Sequence, residues 1–468
     1  MTQTRTEGVP RIVVVGAGFG GLACVRRLEK RLRPDQAHIL LVDPTSASLY
    51  LPLLPQVASG VLAASSVAVP VARLLKQTIR VPGGALGVDL AARTLYVKKI
   101  DGEDEALRYD YLVLAPGSVT RTFDIPGLAE HARGMKTLKQ ALNLRDHVLA
   151  QLELAAAANT AEEKKRRCSF LVVGGGYAGT ETCACLLELT RNAARRIPGL
   201  HPDLISWTLA DLANKLMPEL GEELGEKARR MLADRGVTFK LGTSVAAVTD
   251  VEVKLTDGTT LPTETLVWTA GVAASPLVRG LGETVHGRVT VGADLRLPGW
   301  DGVFAFGDCA AVPDLAKQRD GVADAVCPPT AQHAMRQGKV AADNVISAMA
   351  GRDLRRYFHK DLGLVVDLGG PRAVAKPLGI PLSGIPAQIA TRGYHLMAMP
   401  SMRNRLRVIG NWMSHGVAGD DLLRVDVGVD RPRTLAGYEF TDMYPDPEHI
   451  SGIIEGLESD GEVQQDED

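Results

Sequence analysis

Apolar and polar positions alternate along this chain in two rhythms. Short aliphatic runs recur at Arg11-Ile12-Val13-Val14-Val15, Ile39-Leu40-Leu41-Val42, Tyr111-Leu112-Val113-Leu114, Ser169-Phe170-Leu171-Val172-Val173, Ile205-Ser206-Trp207-Thr208-Leu209-Ala210 and Val303-Phe304-Ala305-Phe306. Runs this short, with little polar interruption and many β-branched residues, predict strands buried on both faces of a parallel sheet. Between them the period lengthens. Residues 138–158 are apolar at helical spacing and then alanine-rich. After Pro328-Pro329-Thr330, the positions Ala331, Ala334, Met335, Gly338, Ala342, Val345 and Met349 fall three or four apart, and Gly351 stops the pattern. The charged run at 162–167 predicts a solvated loop.

Two of the strands lead straight into glycine-rich turns, Gly16-Ala17-Gly18-Phe19-Gly20-Gly21 and Gly174-Gly175-Gly176-Tyr177-Ala178-Gly179. In this fingerprint the first glycine makes the tight turn, the second lets a pyrophosphate approach the backbone, and the third lets the helix pack on the strand. The helix that follows offers free N–H groups and a positive dipole end to phosphates. Each copy is followed by a further strand ending in an acid, Asp43 and Asp211. A carboxylate there accepts hydrogen bonds from a ribose diol, and at the second copy it favours NADH over NADPH. Asp211 follows its glycines at a longer interval, which residues 191–200 account for as extra helix and loop. One such turn can be a ligand-free bend. Two, in matched contexts, point to two dinucleotides held face to face, the layout of a flavoprotein that takes electrons from a nicotinamide.

Composition narrows the class. The 53 basic and 55 acidic residues leave a net charge of −2, which removes any overall nucleic-acid signature. The 48 glycines and 4% aromatics suit an α/β nucleotide-binding protein rich in tight turns. None of the six cysteines forms a metal-type C-x-x-C pair, and Cys183-x-Cys185 is too close for a dithiol motif. They read as small buried hydrophobes in a reducing compartment, with no metal expected. No secretory signal and no apolar stretch of transmembrane length is visible, so a cytoplasmic protein is expected. The expected organisation is an FAD-binding domain from 11–120 and 275–352, an NADH-binding domain at 168–274, a C-terminal region at 353–433 and an acidic disordered tail at 434–468.

The sequence resembles the type II, non-proton-pumping NADH:quinone oxidoreductases, within the flavoproteins that have two dinucleotide-binding domains. The resemblance runs from Ile12 to about Trp412. Besides both glycine motifs it rests on Leu51-Pro52-Leu53-Leu54-Pro55-Gln56-Val57-Ala58-Ser59-Gly60, Leu114-Ala115-Pro116-Gly117-Ser118, Val267-Trp268-Thr269-Ala270-Gly271-Val272, Ala305-Phe306-Gly307-Asp308 and Thr330-Ala331-Gln332-His333-Ala334. It implies two Rossmann-like domains of the disulfide-reductase-like kind with a C-terminal membrane-facing or dimerisation region. It also implies hydride transfer from NADH to FAD and two-electron delivery to a quinone of the menaquinone or ubiquinone type.

Residue by residue, the resemblance assigns FAD to Gly16, Gly18, Phe19, Gly20, Gly21 and Asp43, to Pro52, Leu53 and Gly117, and to Gly307 with Asp308 at the ribityl chain. NADH falls to Gly174, Gly176, Tyr177, Gly179, Asp211 and Gly271. Glu181 would face nicotinamide and flavin, although a first-turn acid can equally complement the helix dipole. Ala331 and Gln332 would lie beside the isoalloxazine, where the quinone headgroup binds. His333 could relay protons or be structural, and Cys327 reads as an inert buried thiol. Two departures concern the acceptor: Arg336 stands where the family often has glutamine, and Ser383 where many members have lysine.

Residues 385–413 mix Ile389, Tyr394, Leu396, Met397, Met399, Met402, Leu406, Ile409 and Trp412 with Arg392, Arg403, Arg405 and Arg407. That pattern fits a segment lying on the anionic cytoplasmic face of a membrane; a face closing the flavin domain or a homodimer contact are the alternatives. From 434 to 468 there are acids but no lysine or arginine. The rival chemistries are a sulfide:quinone oxidoreductase, which needs two cysteines flanking the flavin, another flavin reductase with a non-quinone acceptor, and a non-enzymatic flavin redox sensor.

Overall fold

The computed structural model describes residues 8–360 and 362–424; the acidic tail expected at 434–468 lies outside them. Strand β1 (Arg11–Val15) turns at the glycines into helix α1 (Phe19–Arg31). The chain continues through β2 (His38–Val42), the short helix α2 (Leu54–Ala58), β3 (Ile79–Val81) and β4 (Tyr111–Leu114). A second sheet then forms from β5 (Ala132–Gly134), β6 (Ser169–Val173), β7 (Ser206–Asp211), β8 (Val237–Leu241) and β9 (Leu266–Trp268), in the order β5-β9-β6-β7-β8. Strand β10 (Val303–Ala305) returns to the first sheet, which reads β10-β4-β1-β2-β3. Every pairing in both sheets is parallel. Ile12, Val13 and Val14 are fully buried, as expected of a central parallel strand.

In each sheet the glycine-bearing strand lies at the point where strand order reverses, with β2 and β4 flanking β1 and β7 and β9 flanking β6. A crevice opens beyond the carboxyl ends of the strands at such a point. The local geometry demands glycine. Gly16 has φ +96°, and a Cβ on it would meet the Ala115 carbonyl oxygen at 2.4 Å. A Cβ on Gly21 would fall 1.8 Å from the Gly16 carbonyl oxygen, and one on Gly179 would fall 1.9 Å from that of Gly174.

Helix α3 (Leu138–Ala156) starts at a capping box made by Thr137 and Gln140. The charged run expected to be a loop is helix α4 (Ala161–Arg167). Thr160 caps it, its acids stand in the first turn and its bases in the last, so the charge order complements the dipole. Arg166 and Arg167 both pair with Glu264, at 2.9 and 2.6 Å, which sequence spacing could not disclose. Helix α5 (Tyr177–Ala194) follows the second glycine turn.

Helix α6 (Ala331–Met349) crosses α1 at close range. A Cβ on Gly338 would lie 2.2 Å from the Gly20 carbonyl oxygen, and a bidentate Arg27–Asp343 pair at 2.9 and 3.0 Å locks the crossing. Strands β11 (Val365–Asp367) and β12 (Ala373–Ala375) then pair antiparallel, and the described chain ends with helices α7 (Ile385–Ala398) and α8 (Met402–Ala418).

Helices α7 and α8 have two faces. Met399 and Val408 join a buried cluster with Tyr50, Leu53, Val57, Leu62 and Val67, against which Leu396 and Trp412 pack. The amide of Asn404 donates to the carbonyls of Ser65, Ser66 and Ala68 at 3.0–3.2 Å. The opposite face shows Ile385, Ile389, Met397, Met402, Leu406 and Met413 at 63–79% exposure, too many large apolar groups in one place for chance scatter. No helix among the described residues is long and apolar enough to cross a membrane.

Candidate functional site

Both glycine turns end in helices whose first N–H groups are free of side-chain caps, since Gly18 and Gly176 occupy the N-cap positions and no acid stands in either first turn. Nothing lies within 4 Å of a Cβ built on Gly18 or on Gly176. Gly117 and Gly271, both at positive φ, are equally open. These are cradles of the shape and polarity that a pyrophosphate requires, so the residues present fit two dinucleotides.

The two acids share an arrangement that spacing did not reveal. Asp43 Oδ2 accepts the N–H of Ala17 at 2.6 Å, and Asp211 Oδ2 accepts the N–H of Gly175. Each thus ties the end of the strand that leads into it back to the middle of its glycine loop. The second oxygens accept from the following turn: Thr45 N–H and hydroxyl at 2.8 and 2.6 Å for Asp43, Ala213 N–H at 2.6 Å for Asp211. Burial raises the Asp43 carboxyl, and these hydrogen bonds oppose the shift.

Not every residue of the first motif faces the cradle. Gly20 packs against Phe306, Phe19 stands edge-on to Tyr50 at 5.6 Å, and the Leu53 side chain is buried in the cluster beneath α8. Pro52 lies in the turn Leu51–Leu53. Asp308 Oδ2 accepts the Ser118 hydroxyl at 2.7 Å, and Lys136 Nζ donates to the same Ser118 oxygen at 2.8 Å. Gln337 Oε1 holds the Gly307 N–H at 2.9 Å. Lys136 and Gln337 escaped the sequence reading of this corner, while Ser118 closed a quoted motif without being given a role. Tyr177 opens α5 with a buried hydroxyl that has no partner among the described residues.

Glu181 lies one turn into α5 and is 8% exposed. Its Oε1 accepts the backbone N–H of Asp367 at 2.8 Å. Burial raises its carboxyl well above the usual range; the hydrogen bond from Asp367 opposes this and the Asp367 charge adds to it. Burial raises Asp367 as well. Asp367 Oδ2 accepts Gln56 Nε2 at 2.8 Å and Gln388 Nε2 at 3.3 Å, while Oδ1 accepts Gly369 N–H at 2.8 Å. The Trp412 indole donates to Gln56 Oε1 at 2.7 Å, so this buried network reaches from α5 through α2 to α8. Asp367 and Gln388 carried no motif; Gln56 lay inside the quoted proline-rich segment.

Gln332 is 9% exposed, and its Oε1 accepts from Leu362 N–H at 2.9 Å and from His359 Nε2 at 2.8 Å. Arg336 folds back onto the Gln332 carbonyl oxygen at 2.9 Å, bracing the helix start from the position where the family often has glutamine. His333 Nδ1 meets the Tyr357 hydroxyl at 2.9 Å. Ser383 lies in the short strand Leu382–Ser383. Leu362, which holds Gln332, and Asp367, which holds Glu181, are five positions apart in the chain. An extended segment of that length spans at most about 17 Å. One stretch of backbone therefore strings the Gln332 and Glu181 groups together.

A cavity of about 500 Å³ opens between α1, α6 and the turn joining α7 to α8. Phe19, Leu22, Tyr50, Met335, Met397 and Met399 line it, with Arg26, Lys30, Lys339 and Arg405 also on its walls. Met335 is one turn beyond Gln332. Burial lowers His395 to about 4, and its Nδ1 shares a hydrogen bond with the Tyr50 hydroxyl at 3.2 Å. All six cysteines are free and buried.

Comparison with known proteins places these features. Residues 10–338 match the family described as pyridine nucleotide-disulphide oxidoreductase. A type II NADH:quinone oxidoreductase of Mycobacterium tuberculosis is 32% identical over 427 residues, covering 86% of this chain and 87% of that protein. Its counterpart in Staphylococcus aureus is 30% identical over 393 residues, covering 82% and 92%. Among solved structures, NDH2 from Plasmodium falciparum in complex with NADH superposes with a TM-score of 0.81 at 18% identity, covering 88% of this chain and 99% of that one. A sulfide:quinone oxidoreductase from Aquifex aeolicus reaches 0.63 at 18% identity, covering 88% and 96%; at such identities the likeness concerns the fold.

Proposed function

Because the chain belongs to the type II NADH:quinone oxidoreductases, within the pyridine nucleotide-disulphide oxidoreductase family, we propose a specific division of labour among its residues. The protein is an oxidoreductase that moves electrons from NADH through a flavin to a quinone. The flavin, FAD in this reading, supplies the two-electron relay between a hydride donor and a quinone. The chain supplies binding, orientation and protons.

The observation that carries this reading is the pair of open glycine cradles, each at a strand-order reversal and each braced by its own acid. The Gly16–Gly18–Gly21 loop holds the FAD pyrophosphate on the α1 N–H groups, with Asp43 at the adenosine ribose and Asp308 beside the ribityl chain. The Gly174–Gly176–Gly179 loop holds NADH, and Asp211 repels a 2′-phosphate. In that assignment the FAD-binding domain takes 11–120 and 275–352, followed by the C-terminal region expected at 353–433; the NADH-binding domain expected at 168–274 also takes in the edge strand β5 (Ala132–Gly134), which pairs with β9 in the second sheet. Glu181, its carboxyl raised by burial, faces the nicotinamide as a group that can hold or pass a proton, and Asp367 fixes its orientation. Gln332 positions the quinone headgroup, its own amide oxygen held by Leu362 and His359. The neighbouring cavity suits an apolar quinone tail.

The exposed apolar face of α7 and α8 then rests on a membrane surface. Of the four arginines in this segment, Arg405 is tied to the Met397 and Met399 carbonyls and Arg392 stacks on Trp412 at 4.9 Å. Arg407 donates to the Ser65 carbonyl at 3.2 Å. That leaves Arg403, clustered with Arg73 and Arg407 closely enough to be lowered, as the arginine facing anionic headgroups. Anaerobic reduction of the yellow protein by NADH, followed by mixing with a soluble quinone, tests the electron path. Bleaching and full reoxidation are expected; a flavin that NADH cannot bleach ends this reading.

A further inference from the structure

Three chemically different side chains meet in a place that electron transfer leaves without a task. Asp314, Cys327 and His333 each bring one ligand-type atom within 4.8 Å of the other two. They are 3%, 3% and 2% exposed. Asp314 caps the short helix Leu315–Arg319, Cys327 precedes Pro328-Pro329, and His333 stands in the first turn of α6. The imidazole is oriented from outside the group: its Nδ1 meets the Tyr357 hydroxyl at 2.9 Å, and the His359 ring stands edge-on at 5.5 Å. A ring gripped at one nitrogen aims the other at a fixed point, which is how metal-binding histidines are held.

We infer that Asp314, Cys327 and His333 form a buried site for a divalent metal ion, with zinc the ion their donors suit. A thiolate, an imidazole and a carboxylate match zinc, whereas magnesium and calcium seek oxygen alone. On binding, the Cys327 S–H bond breaks and a sulfur–zinc bond forms; the proton goes to solvent and no electrons move. His333 binds as the neutral ring through Nε2, its Nδ1 remaining on Tyr357. Asp314 Oδ1 accepts the Lys317 N–H at 3.1 Å, and the Lys317 ammonium lies 3.9 Å from Oδ2. That ammonium belongs to a half-exposed side chain, so it can turn to solvent and leave Oδ2 to the ion. A water completes the tetrahedron. The ion would clamp the 314–327 loop to the start of α6, beside Gln332. Spacing hid this group, because its members come from three segments and none forms a C-x-x-C pair. The inference does not rest on the electron-transfer reading.

The test uses the flavin-loaded full chain, stripped with a chelator, supplied with excess zinc or cobalt(II), and desalted. Metal is measured by mass spectrometry against flavin absorbance. About one ion per chain is expected, and cobalt should give a sulfur-to-cobalt charge-transfer band with tetrahedral d–d bands. Cys327→Ser should abolish that band and cut occupancy at least about tenfold with flavin content unchanged. Tyr357→Phe, which spares all three ligands, should weaken affinity about 10–100-fold. Retention of no ion, or wild-type binding by Cys327→Ser, overturns the site. Should Cys327→Ser fail to fold, the unaltered protein decides: the other five cysteines belong to no comparable cluster among the described residues. Cobalt bound without a sulfur band then overturns the assignment.

Discussion

Asp367 donates its backbone N–H to Glu181 Oε1 at 2.8 Å, joining a β-strand of the C-terminal region to the first turns of the helix that follows the second glycine loop. Two buried carboxyls are thereby held together, and both are pushed toward the protonated form. The bond also explains why the C-terminal region matters to a site built mainly from the earlier chain.

Stability should depend on pH through Glu181. Its folded-state affinity for the proton exceeds that of the unfolded chain, so its contribution is complete below the unfolded pKa of about 4.3 and is lost as pH rises through the raised folded value. Glu181→Gln keeps an oxygen for the Asp367 N–H and removes the titration. Thermal melts should show the variant gaining on the wild type as pH increases, by about 2 °C per kcal/mol recovered. Parallel melting curves for both proteins at every pH would contradict this.

The same substitution should slow turnover. If Glu181 gives or takes a proton during quinone reduction, Glu181→Gln lowers kcat about 10²–10⁴-fold. Asp367→Asn should move the pH profile of kcat while leaving the KM for NADH nearly unchanged, since it acts through Glu181. A pH profile identical to wild type would reduce Asp367 to a packing role.

Asp211 has two duties that separate on mutation. Asp211→Asn keeps an oxygen for the Gly175 N–H and discards the charge, so discrimination between NADH and NADPH should fall about tenfold or more, worth about 1.4 kcal/mol. Asp211→Ala loses the loop brace too and should raise KM for both nicotinamides. Unchanged selectivity in Asp211→Asn would remove the ribose role.

The glycines divide in the same way. Gly21→Ala would drive a methyl to 1.8 Å from the Gly16 carbonyl oxygen and should yield a colourless or unfolded protein. Gly176→Ala meets no protein atom within 4 Å, so it should fold, stay yellow and bind NADH more weakly. Flavin content by absorbance and NADH affinity by titration distinguish the two. A Gly176→Ala protein with wild-type NADH affinity would argue against a dinucleotide there.

On the outer face of α7 and α8, Met402→Glu with Leu406→Glu should abolish sedimentation with anionic vesicles. Turnover with a soluble quinone should persist, because both side chains point away from the core. Loss of a dimer in place of vesicle binding would favour the homodimer alternative.

The sequence by itself determined the parallel sheets, both glycine turns and the acids that follow them. These features are local: a strand, a turn at positive φ and a helix start are specified by a handful of consecutive residues, and only glycine fits the 1.8 and 1.9 Å approaches within each loop. It also marked residues 385–413 as amphipathic, because helical period and composition are properties of one segment. Tertiary structure alone decided which face of α7 and α8 is buried, why the 162–167 run is a helix braced on Glu264, and that Asp367 meets Glu181. Those pairings join residues that lie far apart in the chain, and each exists because packing elsewhere brings its partners together. A hydrogen bond of that kind leaves no periodic or compositional trace, so only the folded chain reveals it.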